Sequence, residues 1–249
     1  MTNLTSPTNP ESFADALRGA VEAMGVDVSR EALAGMAAHY GLMLRVNEEY
    51  NLTTIIDPLE AAVKHYADSL AVLRVLDGMQ VAGRAIDIGS GAGFPGVPLA
   101  LARPQWKWVL VEARQKKAAF LNLAVEELRL ENVAVVADRS EAMAHQPEWR
   151  DRFSLATGRA VAALGAIVEL LAPFVASGGR IVAMKGPKEP VVSPHEAVLA
   201  KLGCGMPRSL EYELPEGMGR RSLIVLEKVA PTPSSLPRRP GMAAKRPLF

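Results

Sequence analysis

One cysteine in 249 residues, Cys204 between Gly203 and Gly205, leaves no intramolecular disulfide to form, and its flanking glycines place it as a small residue in a turn. The four histidines, His39, His65, His145 and His195, show no close grouping with cysteine or carboxylate, so no metal site is expected. Residues 1–10 lack a basic stretch followed by an apolar core, so no secretory signal is expected there. The longest apolar stretch, Ala160 to Val168, is too short to span a bilayer, and Glu169 ends it. Charge of one sign is scarce as well: the formal net charge is +1, and nothing global demands a polyanionic partner. These absences leave a soluble globular chain, 49% hydrophobic and 22% charged, expected in the cytoplasm without a membrane partner. Its length allows one good core with a small appended domain.

What is present divides along the chain. Residues 1–10, rich in Thr, Asn and Pro, are expected to be disordered. A helical N-terminal extension is expected over 11–82. Apolar positions recur at helical spacing over 11–24 and 29–49, with a turn signal at Gly25-Val-Asp27. A third helix should start at Asp57-Pro58-Leu59-Glu60 and run to about Leu76, with Asp57 as cap, Pro58 in the first position and Glu60 closing a capping box.

Strands and helices alternate over 83–229. Strands are expected at 84–88, 107–112, 133–138, 153–157, 180–185, 206–214 and 221–229, and helices at 96–103, 114–130, 141–146, 164–176 and 194–202. Such alternation implies a mostly parallel sheet covered on both faces. The last two strands follow each other across Pro215-Glu-Gly-Met-Gly219 and should form an antiparallel hairpin at the sheet edge. The final segment, 230–249, holds five prolines, four basic residues (Arg238, Arg239, Lys245, Arg246) and no acid. Its +4 formal charge leaves the rest of the chain at −3. It reads either as a solvated tail or as a phosphate-binding arm, and in both cases its removal should spare cofactor binding.

The most informative stretch is Arg84-Ala-Ile-Asp-Ile-Gly-Ser-Gly-Ala-Gly-Phe-Pro-Gly96. A buried strand breaks into Gly89, Gly91 and Gly93 before a helix, a turn in which backbone approaches a nucleotide-like ligand closely. The spacing is ambiguous. Gly91-x-Gly93-x-x-Gly96 fits a dinucleotide fingerprint, Gly89-x-Gly91-x-Gly93 fits the methionine-cofactor loop of methyltransferases, and a tight turn without a ligand is the plain alternative. Seven strands ending in a hairpin are the usual layout of S-adenosylmethionine-dependent methyltransferases. A nicotinamide domain commonly has six parallel strands. The fold expected is therefore α/β, a Rossmann-like seven-stranded mostly parallel sheet with a helical N-terminal extension. A nicotinamide-dependent oxidoreductase and a cofactor-holding module without chemistry stay open as alternatives.

In such a sheet the ligand lies beyond the carboxyl ends of the strands. Strand one ends at Asp87, placed to accept loop amides or to hold a water toward the cofactor. Strand two ends at Glu112, suited to both ribose hydroxyls. Strand three ends at Asp138-Arg139-Ser140-Glu141, near an adenine edge. Strands four and five end at Thr157-Gly158-Arg159 and Lys185-Gly186-Pro187-Lys188. Arg159 stands where amino-directed methyltransferases commonly carry an Asn/Asp-Pro-Pro-aromatic turn, and Cys204 sits too late to serve as a nucleophile toward cytosine carbon. Guanine N7 fits an acceptor that needs no base, being an exposed lone pair of the purine ring. Ordinary surface charge is the plain alternative for Arg159 and Lys185.

These residues carry a family resemblance. From about Asn47 onward the chain resembles the bacterial small-subunit ribosomal RNA guanine-N7 methyltransferases, the glucose-inhibited division protein B family. The likeness runs through Asn51-Leu-Thr53, His65-Tyr-Ala-Asp-Ser-Leu70, Asp87 to Gly96, and Val111-Glu-Ala-Arg-Gln-Lys-Lys117 followed by Phe120-Leu121. It continues through Arg159-Ala-Val161, Met184-Lys-Gly186, Arg221-Ser-Leu-Ile-Val225 and Pro237-Arg-Arg-Pro-Gly241. The glycine loop extended by Phe-Pro-Gly, joined to His-x-x-Asp-Ser-Leu upstream, makes it specific.

The resemblance implies S-adenosylmethionine as donor, with S-adenosylhomocysteine as product and no metal. It implies 7-methylguanosine in the 530 loop of 16S ribosomal RNA, at the position conventionally numbered 527. The RNA would be met within the small subunit or a precursor particle, by a monomer. Carried over by position, the cofactor contacts would be Gly89, Phe94, Glu112, Ala113, Arg114, Ser140, Glu141 and Arg159. The loop reading adds Asp87, Gly91 and Gly93. Two departures stand out: Gly158 where relatives often have Ser, and Arg221-Ser222 where they commonly have His. His65 and Asp68 lie three apart on one helix face and serve either structure or the acceptor pocket. With Arg159 and Lys185 they complete the candidate catalytic set, and His65 is not needed as a base because guanine N7 has no proton to lose.

Overall fold

Why the central strands are buried is visible in their sequence: Ala85-Ile86-Asp87-Ile88 and Trp108-Val-Leu-Val111 are nearly continuous apolar runs, and a strand covered on both faces needs that composition. The computed structural model describes residues 10–79, 83–159, 163–186 and 196–249. Among these, seven strands form one sheet: β1 (Arg84–Ile88), β2 (Lys107–Val111), β3 (Val133–Val136), β4 (Phe153–Arg159), β5 (Val175–Lys185), β6 (Arg208–Glu213) and β7 (Arg220–Glu227), in the spatial order β3-β2-β1-β4-β5-β7-β6. The first five are mutually parallel, and β7 pairs antiparallel with both β5 and β6. The expected terminal hairpin is therefore present, with β7 inserted next to β5 and β6 on the edge. Strand order reverses between β1 and β4, which opens a crevice beyond their carboxyl ends.

Alternation along the strands splits the core in two. Ala85, Trp108, Leu110, Leu155 and Val182 face one side. There they meet α1 (Pro10–Ala23), α2 (Arg30–Tyr50), α6 (Gly96–Ala102) and α7 (Gln115–Glu127), through residues such as Phe13, Met36, Tyr40, Val97 and Phe120. The N-terminal helices thus cover a sheet face. Ile86, Ile88, Val109, Ala156 and Ile181 face the other side, against α9 (Leu164–Leu171) and α10 (Glu196–Leu202). The short α8 (Ser140–Met143) follows β3.

The helix expected over 57–76 begins as foreseen: Asp57 accepts from Glu60 N at 2.9 Å, and Pro58 opens α3 (Pro58–Ala61). Glu60 pairs with Lys64 instead of closing a capping box. The helix then widens into a π-helical turn, Ala62–Ala67, before α4 (Asp68–Leu70) and α5 (Leu73–Leu76). The His65 carbonyl in that turn accepts from Ser69 Oγ and from Arg159 Nη1, and the Lys64 carbonyl accepts from Arg159 at 3.0 Å. Arginine thus takes acceptors that a regular helix keeps for itself, and such turns recur at functional sites.

The C-terminal segment is docked on the core at several points, while Arg239, Lys245 and Arg246 stay exposed. Arg150 donates to the carbonyls of Thr232, Pro233 and Leu236, while the buried Lys228 donates to Thr232 Oγ1 at 2.8 Å. Arg238 makes a fork of hydrogen bonds to Glu169, a carboxylate fully buried on α9. The short α11 (Met242–Lys245) lays Ala243 against Ala166 and Leu170. Basic residues in a proline-rich tail read as solvent-facing from composition alone, but here one neutralises a buried acid. Breaking such a pair costs about 3–5 kcal/mol.

No helix among the described residues is long and apolar enough to cross a membrane, and no group of three or more His, Cys, Asp or Glu among them is arranged to hold a metal ion. The disorder expected over residues 1–10 falls outside the described residues except at Pro10, which opens α1; Ala160, Val161, Pro187, Lys188 and His195 lie outside them as well.

Candidate cofactor and acceptor site

Beyond the ends of β1, β2 and β4 lies a cavity of about 410 Å³, lined among others by Thr53, His65, Gly89, Gly91, Phe94, Glu112 and Arg159. A second cavity of about 230 Å³ lies beyond β2 and β3, lined by Ala113, Asp138, Ser140, Glu141 and Leu170 among others. Gly89 and Glu112 line both. The two spaces therefore share a wall, and a ligand with a head, a middle and a tail would pass its middle over that pair.

Local geometry explains the glycines. Gly89 and Gly91 have φ of +73° and +60°, and a side chain on Gly91 would point into open space beside Lys117 Nζ, 3.9 Å away. Gly93 serves packing instead: a Cβ there would come within 2.7 Å of Val97 and 3.2 Å of His39 Nε2. Glu112 Oε2 accepts from Gly91 N at 3.0 Å and Oε1 from Arg114 N at 2.8 Å, so β2 holds the loop through its terminal carboxylate. Each oxygen keeps a further lone pair for a hydroxyl donor.

Asp87 does not line either cavity. It is fully buried and accepts from Gly96 N at 3.2 Å and from Thr157 Oγ1 at 3.0 Å. Its carboxylate braces the loop from behind, and burial pushes the group up to about 6. The Gly96 bond is the amide contact expected of Asp87.

In the wall of the larger cavity, His65 stacks on Phe94 with ring centroids 4.6 Å apart, and the Arg159 guanidinium lies 5.0 Å from the same ring. Arg159 Nη2 lies 3.3 Å from His65 Nδ1, and His65 Nε2 lies 2.9 Å from Thr53 Oγ1. An arginine only donates, so Nδ1 accepts and the imidazole is neutral with its proton on Nε2. Burial, reinforced by the Arg159 charge, drives His65 down to about 3, in line with that tautomer. Asp68 lies behind this layer. It meets Tyr212 Oη at 2.7 Å, Arg159 at 3.4 Å and Arg221 at 4.0 Å. Asp68 thus ties the π-helical turn to β4, β6 and β7. Lys185 is buried at the end of β5, beside Ser222 of β7 and away from the cavity lining.

Of the residues singled out from sequence, Gly89, Gly91, Phe94, Glu112, Ala113, Arg114, Ser140, Glu141, His65 and Arg159 line the joined cavities. Asp87, Gly93, Asp68 and Lys185 stand outside the lining. Thr53, Lys117 and Tyr212 were not singled out as site residues. Thr53 and Lys117 lie within segments that carry the family likeness, whereas Tyr212 sits on an edge strand with no local signal.

A family model described as rRNA small subunit methyltransferase G matches residues 32–197. Three proteins called ribosomal RNA small subunit methyltransferase G are similar over most of this chain. That of Carboxydothermus hydrogenoformans is 38% identical over 225 residues, 90% of this chain and 95% of the relative. The protein of Symbiobacterium thermophilum is 39% identical, covering 94% and 99%. For Deinococcus deserti the identity is 39%, covering 97% and 98%.

Proposed function

The chain belongs to the rRNA small subunit methyltransferase G family, and on that premise we propose that it methylates guanine N7 in the 530 loop of 16S ribosomal RNA, at conventional position 527. The donor is S-adenosylmethionine, which supplies an electrophilic sulfonium methyl when bound. The residues present fit it. Positive-φ Gly89 and Gly91 leave backbone bare along the larger cavity, Glu112 faces both cavities with lone pairs for ribose hydroxyls, and the smaller cavity suits the adenine. Lys117, beside Gly91, is placed for the ligand's carboxylate.

The observation that carries the N7 reading is the stacked layer of Phe94, the neutral His65 imidazole and the Arg159 cation that lines the larger cavity. It holds no free base. The guanine N7 lone pair makes the new bond as the sulfur–methyl bond breaks, and no proton leaves, so none is required. Phe94 and His65 offer a flat, desolvated wall, and Arg159, anchored by the Lys64 carbonyl and Asp68, lines the same cavity. Orientation and a fixed field supply the rate enhancement. The glycine spacing and Glu112 would also fit a nicotinamide domain, but the antiparallel β7 and β6 at the sheet edge and the family membership weigh against that reading.

The natural substrate is the assembled small subunit or a precursor, acted on by a monomer in the cytoplasm. Incubating the protein with methyl-labelled S-adenosylmethionine and small subunits from cells lacking this modification tests the reading. Label recovered as 7-methylguanosine supports it. Label in any other nucleoside refutes the N7 assignment, and no transfer to subunits or to free 16S RNA refutes the substrate.

A further inference from the structure

The smaller cavity is not built by the α/β domain alone. Gly241 and Ala244, from the C-terminal segment, line it opposite Glu112 and Ala113. Gly241 N donates to Glu141 Oε1 at 2.9 Å and so fixes one of the acidic groups that face the space. Leu170 of α9 completes the wall, and Ala243 and Ala166 pack directly behind it. We propose that residues 232–249 form a clasp that completes the adenine-nucleoside subsite, so that ordering of the clasp and binding of the cofactor stabilise each other. This inference rests on the assignment of that cavity to the donor's adenine.

The physical case has three parts. A purine gains most from a flat apolar wall that excludes water, and Leu170 with Ala244 supplies one only while α11 is docked. Glu141 needs a defined orientation to accept from a purine amino group, and its bond to Gly241 supplies it. The clasp is anchored at points remote from the ligand, by Arg238 on Glu169 and by Lys228 and Arg150 on its first turn. Its far end lies on Gly165, where an added Cβ would come within 2.5 Å of the Phe249 carbonyl. An element held by a few cation anchors, with its middle against a ligand cavity, is the kind whose local opening a ligand suppresses.

Titration calorimetry with S-adenosylhomocysteine on three full-length proteins, with limited trypsin digestion as a second readout, tests this. Ala244→Trp fills the cavity from an exposed position, so the fold should persist. Affinity should fall at least tenfold with an unchanged melting temperature. Gly165→Ala leaves α9 intact, since alanine favours helix, but pushes Phe249 away. It should weaken binding severalfold and speed cleavage after Arg238 and Lys245, since Pro240 and Pro247 close the bonds after Arg239 and Arg246 to trypsin. In the wild-type protein S-adenosylhomocysteine should slow that cleavage. Wild-type affinity in both variants, or tail cleavage indifferent to ligand, would overturn the clasp while leaving the cofactor assignment standing. A wild-type protein that does not bind S-adenosylhomocysteine would overturn both.

Discussion

On the proposed function, Arg159 would concentrate the chemistry of the site in one side chain. It touches the π-helical turn, Asp68, His65 and the Phe94 ring at once, and it is mostly buried. Arg159→Ala should lower the single-turnover rate at saturating cofactor by about a hundredfold or more, the scale seen when one preorganised donor is lost. Stability should fall by only about 1–2 kcal/mol, because Tyr212 and Arg221 still face Asp68. Lysine should restore little of the rate, lacking the planar fork. A wild-type rate in the alanine variant would reduce Arg159 to a structural residue. Asp87 gives a second test at this scale. Its raised value, about 6 against an ordinary carboxylate near 4, means the folded state binds its proton more tightly than the unfolded state. Its stabilising share is whole below about pH 4 and is lost as pH rises to about 6, by up to roughly 3 kcal/mol. The stability difference between the wild type and Asp87→Asn, followed by urea melts from pH 4 to 7.5, should move against the wild type up to about pH 6 and then flatten. A difference independent of pH would contradict this. Residue types at strand ends were readable because sheet topology brings those ends together. That Asp87 points inward, or that Tyr212 returns to Asp68 from 144 positions away, is set by packing and has no local signature.

At the scale of elements, the strand–loop–helix unit from Arg84 to Ala102 does most to define the site. Gly91→Asp should abolish S-adenosylhomocysteine binding in calorimetry with little loss of fold, since Gly91 adopts a left-handed conformation that Asp tolerates and its Cβ would meet nothing closer than 3.9 Å. The added carboxylate would stand in the ligand's space beside Glu112. Near-normal affinity in a folded variant would place the cofactor elsewhere. Strand boundaries followed from apolar runs to within a few residues, except that β5 begins at Val175, earlier than the apolar pattern starts, because Val175 already pairs with Phe153 and Ala176 to Gly179 bulge out before pairing resumes at Arg180. The helix over 57–76 was less legible. Its apolar spacing continues through the π-helical turn, and Arg159, which bonds the carbonyls of that turn, lies on another element. The C-terminal segment misled for a similar reason: its partner Glu169 reads as the residue that ends an apolar stretch, not as a buried acid awaiting a cation.

At the scale of the whole molecule three parts build the joined cavities. The helical extension supplies Thr53 and His65 with Asp68 behind them, the sheet supplies the glycine loop and Glu112, and the C-terminal segment lines the smaller cavity. Family membership accounts for small-subunit RNA methyl transfer, while the choice of atom rests on the missing base. Methylation at N7 leaves a positive purine with its pairing edge free. The most direct test is therefore to treat 16S RNA from subunits modified by the protein with borohydride and aniline, and to map it by reverse transcription beside untreated RNA. The account predicts cleavage at one guanosine, in the 530 loop, with unhindered read-through in the untreated sample. A reverse-transcription stop without chemical treatment would put the methyl on the pairing edge and contradict it.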